Sequence, residues 1–180
     1  PSEHAKETID YFREQGIHTT LITGDSEMTG KAVAKQLGID EVIANVMPED
    51  KSRIIDEQKE KYGVVTMVGD GVNDAPALVN ADVGIAMGDG TDVAVEVSDL
   101  VLMQNDLSKL VQSHNISTKM NRVIWQNVIF SMAVVAFLVV VSFLGLTDIA
   151  ISVIIHEGST LVVILNGLRL LRSNSKPIKN

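Results

Sequence analysis

The first hundred residues alternate between two hydrophobic periods. Apolar residues three to four apart predict helices, and short runs dense in Val, Ile, Leu and Met predict strands. "SEHAKETIDYFREQG" offers Ser2 as a cap, places Ala5, Ile9 and Phe12 on one face, and stops at Gly16. "IHTTLIT" reads as a strand, "EMTGKAVAKQLG" as a helix ending at Gly38, and "EVIANV" as a second strand. "PEDKSRIIDEQKEKYG" has Pro48 in its first turn and Gly63 at its end, a helix start and stop. "VVTMVG", "DVGIAM" and "DLVLM" follow as three more strands with brief helices between them. Such alternation predicts an α/β fold with right-handed crossovers and a parallel sheet covered on both faces. In such sheets ligands bind at the carboxyl ends of the strands.

Beyond residue 106 the pattern changes. "VIFSMAVVAFLVVVSFLGL", residues 128–146, carries no charge over about the length that crosses a bilayer. A second apolar run, 149–168, is similar but holds His156 and Glu157 at its middle. Only Thr147 and Asp148 separate the two, so they predict a helical hairpin. The expected divisions are a partial α/β domain over 1–106, a connecting amphipathic helix over 107–126, a transmembrane hairpin over 127–168 and a basic tail over 169–180.

Charge sharpens this division. Residues 1–106 hold 8 basic against 21 acidic side chains, and residues 107–180 hold 7 against 2. So acidic a front half argues against nucleic acid as a partner, because phosphate contacts dominate that affinity. Lys119 and Arg122 precede the first span, and Arg169, Arg172, Lys176 and Lys179 follow the second. By the positive-inside rule residues 1–126 and 169–180 face the cytoplasm and Thr147-Asp148 is the outer tip. The first turn is polar and acidic, unlike a signal peptide. A start at Pro1 suggests a piece of something longer. Without Cys the chain has neither disulfides nor thiolate ligands of its own.

The candidate chemistry lies at strand exits. "VVTMVGDGVNDAPAL" leaves an apolar strand and sets Asp70 and Asp74 four apart on a glycine-lined turn. That is either a solvated acidic loop or a site for a hard divalent cation such as Mg²⁺. "LITGD" ends its strand with Thr23, Gly24 and Asp25, which is either a plain turn or a hydroxyl and bare amide able to hold phosphate oxygens. Lys51 is either a solvated first-turn lysine or a cation for a phosphoryl group. Together, a Thr hydroxyl, a Lys and an Asp pair at successive strand ends form a kit for phosphoryl transfer, which is mostly positioning and charge neutralisation around a metal.

"TGD", "PEDK" and "MVGDGVNDAPAL", in this order, resemble the haloacid-dehalogenase-like phosphorylation domain of P-type ATPases. "ADVGIAMGDGTDVAVEVSDLVLM" is similar to the segment that follows in that family, and the resemblance runs on through the hairpin to "NGLRLL". It implies a HAD-like, Rossmann-type sheet. It implies also that Asp70 and Asp74 serve Mg²⁺, with Asn73 ordering the site, that Thr23 and Gly24 contact phosphate beside Asp25, and that Lys51 stabilises the phosphoryl group. "TGDS" departs from the family, where Asn often follows the Asp. The family's nucleophile sits in "DKTGT", which does not occur here. The expectation is therefore the C-terminal part of a pump whose remaining N-terminal portion supplies the nucleophile and most of the ATP site. Alone, this part would be inactive.

Ionisable residues in mid-span are costly and usually functional. His156 and Thr160, and Glu157 and Thr160, share a helical face. They read either as a polar helix contact or as ligands. "HEGST", with Ser159, resembles the last membrane helix of heavy-metal P-type ATPases that handle cobalt, iron or zinc. Imidazole and carboxylate suit Zn²⁺, Co²⁺ or Fe²⁺, whereas Cu(I) favours sulfur, and Met132 is the only sulfur in either span. Gly158 would let a helix or the ion approach closely. Trp125 fits an interfacial anchor or a packing residue. The leading expectation is an ATP-driven exporter of a divalent metal, embedded in lipid in a bacterial plasma membrane and passing through an aspartyl-phosphate. The alternatives are a membrane-anchored phosphatase of the same superfamily and a non-catalytic membrane hairpin.

Overall fold

The computed structural model describes residues 4–88, 90–103 and 106–172, with Arg172 in its backbone alone. The chain divides into two compact units, Pro1–Val111 and Gln112–Asn180.

The first unit is α/β. Helix α1 spans Ala5–Glu14, β1 Thr20–Ile22, α2 Glu27–Leu37 and β2 Glu41–Ile43. A 3-10 turn, Pro48–Asp50, leads into α3, Lys51–Tyr62, and then β3, Thr66–Gly69. A second 3-10 turn, Val72–Asp74, opens α4, Ala75–Asn80, followed by β4, Val83–Met87, α5, Asp92–Val97, and β5, Leu100–Leu102. Local chemistry explains the boundaries. Ser26 accepts a hydrogen bond from the Thr29 N–H at the start of α2, so the residue that departs from the family pattern is a competent helix cap. Gly38 ends α2 in the left-handed region at φ +79°, where a side chain would be strained. Ser2 lies outside the described residues.

All pairings are parallel, as the alternating pattern predicts. Among the described residues they form two sheets rather than one: β1 with β2, and β3-β4-β5. β4, central in its sheet, is the most buried strand, and α4 packs on it where Gly84 has no side chain to intervene. A Cβ on Gly84 would lie 2.5 Å from the Leu78 carbonyl oxygen. Every residue of β1 and β2 is only half-buried, because in a two-stranded sheet each strand is an edge. The expected parallel pairing with flanking helices is present in both sheets, and β4 is their most buried strand.

Three aspartates staple the strand starts. Asp40, just before β2, accepts from the Thr19 N–H at 2.9 Å and its hydroxyl at 2.7 Å. Asp82, before β4, accepts from Val65 N–H at 2.8 Å, and Asp99, before β5, from Gly84 N–H at 2.8 Å. Each satisfies a backbone donor of the neighbouring segment that the ladder leaves unpaired.

The second unit is helical. α6 spans Ser108–Phe143 and α7 Ile149–Leu168, with a 3-10 turn over Arg169–Arg172. The expected connecting helix and the first span are one continuous helix, since neither Pro nor Gly occurs between residues 106 and 145. Leu146 N–H then bonds back to the Val141 carbonyl with Gly145 at φ +66°, a helix-ending turn. Asp148 caps α7 through the Ile149 N–H. Both helices are long and apolar enough to cross a membrane, and no part of their apolar windows is buried among the described residues. Lys176 and Lys179 of the basic tail lie outside the described residues.

The staples set an acid limit on stability. Hydrogen bonds from the Thr19 hydroxyl and N–H hold Asp40 below the usual carboxylate pKa, and the Val65 N–H followed by Lys59 does the same for Asp82. A carboxylate depressed in the folded state stabilises it above the unfolded pKa of about 4, and that contribution is lost as pH falls through the folded value. Melting temperatures of the first unit should be flat from pH 7 to 5 and fall below about pH 4. In Asp40→Asn/Asp82→Asn the fall should be shallower, as read by circular dichroism.

Candidate functional site

The carboxyl ends of β1, β2 and β3 carry the residues singled out in the sequence. After β3 the chain turns through Asp70 and Gly71 into the 3-10 turn that ends at Asp74. Asp74 is buried, and neither of its oxygens is idle. Oδ1 accepts from the Lys51 ammonium at 2.5 Å, and Oδ2 faces the N–H groups of Asp70 and Gly71 at 3.4 Å each. Gly69 makes this fold-back possible: a Cβ there would meet the Asp74 side chain at 2.8 Å.

Asp70 is placed differently. Its backbone is held on both sides, by Asp74 at the N–H and by Thr91 N–H, which donates to its carbonyl at 3.0 Å. Its residue is exposed, and among the described residues no donor reaches its carboxylate. A free carboxylate on a pinned backbone suits Mg²⁺, which typically takes one or two carboxylates and completes its octahedron with water and phosphate oxygens. No group of three or more His, Asp or Glu placed to hold a metal is found among the described residues. Of the two carboxylates on this turn, that of Asp70 is the one left open, with Asp74 bonded back to the turn and exposed Asn73 between them.

Thr23, Gly24 and Asp25 form a separate loop at the end of β1. Asp25 N–H donates to Thr23 Oγ1 at 3.1 Å, Val46 N–H to the Thr23 carbonyl at 3.1 Å, and Asn45 N–H to the Asp25 carbonyl at 2.8 Å. Asn45, at φ +55°, tolerates the left-handed conformation this clasp requires. Among the described residues no hydrogen bond joins this loop to the Asp70 turn; Lys51 and Asp74 are the pair that the fold brings into contact. Sequence reasoning missed Asn45 and Thr91. Thr91 also caps α5 by accepting from the Ala94 N–H, and the quoted "GDGTD" was the available signal.

In the second unit, His156 Nδ1 lies 3.7 Å from Glu157 Oε1 in mid-helix, both exposed. The hydroxyls of Ser159 and Thr160 donate back to the His156 carbonyl, at 2.6 and 3.3 Å. Among the described residues, and apart from its own helix backbone, no group lies within 4 Å of where a Gly158 Cβ would stand. At one end of the hairpin Asn166 Nδ2 donates to Asn127 Oδ1 at 2.9 Å and to Gln126 Oε1 at 3.3 Å, while Arg169 donates to Asn166 Oδ1. Trp125 is exposed.

Residues 1–82 match the family model described as haloacid dehalogenase-like hydrolase. A zinc-transporting ATPase of Bacillus subtilis (strain 168) is 53% identical over 168 residues, 93% of this chain and 26% of that protein. A crystal structure of a zinc-transporting PIB-type ATPase in the E2.Pi state superposes with a TM-score of 0.90 at 36% identity, covering 95% of this chain and 28% of that one. Over 93–95% of its length the chain is similar to heavy-metal-transporting P-type ATPases. A copper-exporting P-type ATPase of Staphylococcus haemolyticus is 42% identical over 93% of the chain and 21% of that protein. The chain thus spans about a quarter of the length of these P-type ATPases. Its likeness to them includes the hairpin, which the phosphatase alternative does not explain.

The Lys51–Asp74 pair should dominate the stability of this end of the fold. Both side chains are mostly buried, at 15% and 12% exposure, and removing one partner strands the other charge. Lys51→Ala should cost about 3–5 kcal/mol in denaturant unfolding. Lys51→Met/Asp74→Asn should recover a large part of that loss.

Proposed function

We propose that this chain is part of an ATP-driven pump that exports a divalent transition metal, zinc, cobalt or iron, through an aspartyl-phosphate. The observation that carries the reading is the union in one chain of a braced, unpartnered Asp70 at a parallel strand end with a His156–Glu157 pair midway along a membrane-length helix.

Asp70 holds Mg²⁺ in this reading, and the ion supplies charge neutralisation to a phosphoryl group. Asp74 keeps the Asp70 turn and the Lys51 ammonium in fixed relation, so that Lys51 faces phosphate with its position already set. Thr23 Oγ1 and the Gly24 N–H face the phosphate oxygens, with Asp25 beside them. The nucleophile and most of the nucleotide site come from the rest of the pump. A parallel strand added to an open edge of either small sheet would end on the same side as Thr23 and Asp70, which supports that division of labour.

The substrate metal is assigned by ligand chemistry. His156 and Glu157 suit divalent first-row ions, and the lone Met132 gives Cu(I) too little sulfur. Ser159 and Thr160 are the adjoining oxygen donors. Two membrane-length helices and the basic residues that flank them support an integral protein of the bacterial plasma membrane, with residues 1–126 and 169–180 cytoplasmic.

Three results test this. The 180-residue chain incubated with MgATP should form no acid-stable phosphoenzyme. In the full-length pump, Asp70→Asn should abolish phosphorylation from ATP while shifting unfolding by less than about 0.5 kcal/mol, since among the described residues no donor reaches its carboxylate. Phosphorylation at unchanged level would overturn the Mg²⁺ assignment. His156→Ala and Glu157→Ala should each remove stimulation of ATP hydrolysis by Zn²⁺, Co²⁺ and Fe²⁺, and spare phosphorylation from inorganic phosphate. Full metal stimulation in both variants would return the pair to a packing role.

A further inference from the structure

The hairpin is polar in an asymmetric way. Its two ends are joined by different chemistry. Near the basic flanks, the amides of Gln126, Asn127 and Asn166 form a clasp across α6 and α7, reinforced by Arg169. Towards the other end the helices leave a cleft of about 370 Å³, lined by Leu138 and Ser142 of α6, Thr147 of the connecting turn, and Ser152, His156 and Glu157 of α7 among others. Thr147 Oγ1 and Ser152 Oγ lie 3.3 Å apart, so a hydroxyl pair links the tip to the cleft wall. Ser152 and His156 are one turn apart on the same face of α7, because residues four apart on a helix are neighbours.

We infer that this cleft is the release path of the transported ion, running from His156 and Glu157 past the hydroxyls of Ser152, Ser142 and Thr147 to the hairpin tip. The inference rests on the cargo reading given above and adds the direction and chemistry of exit. A release path needs donors that replace part of a cation's hydration shell without retaining it. Neutral hydroxyls are weaker ligands for a borderline divalent ion than imidazole and carboxylate, so affinity falls from mid-span towards the tip. On the other side of His156, the hydroxyls of Ser159 and Thr160 are turned back onto the helix carbonyl, and beyond them the amide clasp ties the helices together. Of the hydroxyls that line this cleft, those of Ser142, Thr147 and Ser152 all lie on the tip side of His156. By the charge flanks, that side is outward.

The test uses the full-length pump in proteoliposomes with Zn²⁺, comparing Ser142→Val/Ser152→Val with Ser142→Thr/Ser152→Thr. The valine pair fills the same space without oxygen donors. It should keep metal-triggered phosphorylation from ATP at an unchanged half-saturating Zn²⁺ concentration, which also reports intact folding. Zn²⁺ transport should fall at least fivefold, with phosphoenzyme accumulating, and the threonine pair should restore it to within twofold. Transport by the valine pair within twofold of the parent would overturn the release path. So would an equal loss in both pairs, which would mark a packing effect. A valine pair unable to be phosphorylated would overturn it too, by placing these serines in binding rather than release. Failure of the cargo reading has a different signature: His156→Ala would retain metal-triggered phosphorylation.

Discussion

A buried ion pair joins the two halves of the α/β unit. Lys51 stands at the start of the helix that follows β2, and Asp74 at the end of the turn that follows β3, so their contact ties the exits of two separate sheets together. The pair is costly to desolvate and is repaid only if the remaining hydrogen-bonding capacity is used. Here it is, through the backbone N–H groups of Asp70 and Gly71. The turn that presents the Asp70 carboxylate is shaped by the same side chain that fixes the Lys51 ammonium, so the two cannot shift independently.

Asn80 strengthens the same junction from the far end of α4. Its amide donates to the Ser52 carbonyl and to Asp56, both on α3, at 2.8 Å each. With α3 and α4 laced together and Thr20 of β1 bonded to Gln58 of α3, the two small sheets are held by helices rather than by a shared ladder. This explains how β1 and β2 persist although only half-buried.

Much of this was legible in the sequence, for physical reasons. The strand cores, the stops at Gly16, Gly38 and Gly63, and the break around Thr147-Asp148 are local events, and local chemistry is what a sequence displays. Asp70 and Asp74 were legible as a pair but not as two roles. Which carboxylate is spent on bracing and which is left free depends on Lys51, 23 residues away, and on the room that Gly69 leaves. The division into two sheets was hidden for a related reason: the alternating pattern reports that strands exist, not which edges find a partner within this stretch of chain. Asn45 and Thr91 were missed because what each gives the two loops is a backbone N–H, which every residue but proline carries, although the Thr91 cap of α5 left a readable signal.

The hairpin shows the same limit and one gain over it. Hydropathy alone locates two spans, and it treats the serines within them as minor interruptions. Beyond residue 116 the half-buried positions of α6, Val123, Asn127, Ser131, Val134, Leu138 and Val141, recur every three or four residues, as one helix face turned to a neighbour must. Across the seam the contacts change kind, from the amides of Gln126, Asn127 and Asn166 at one end to the hydroxyl pair of Thr147 and Ser152 at the other. Amides bond to each other and close the gap they span, whereas a hydroxyl pair at 3.3 Å can exchange its partner for water or a cation at small cost. The difference between a seal and a passage therefore resides in which small polar side chain occupies the seam, a distinction that composition and hydropathy average away.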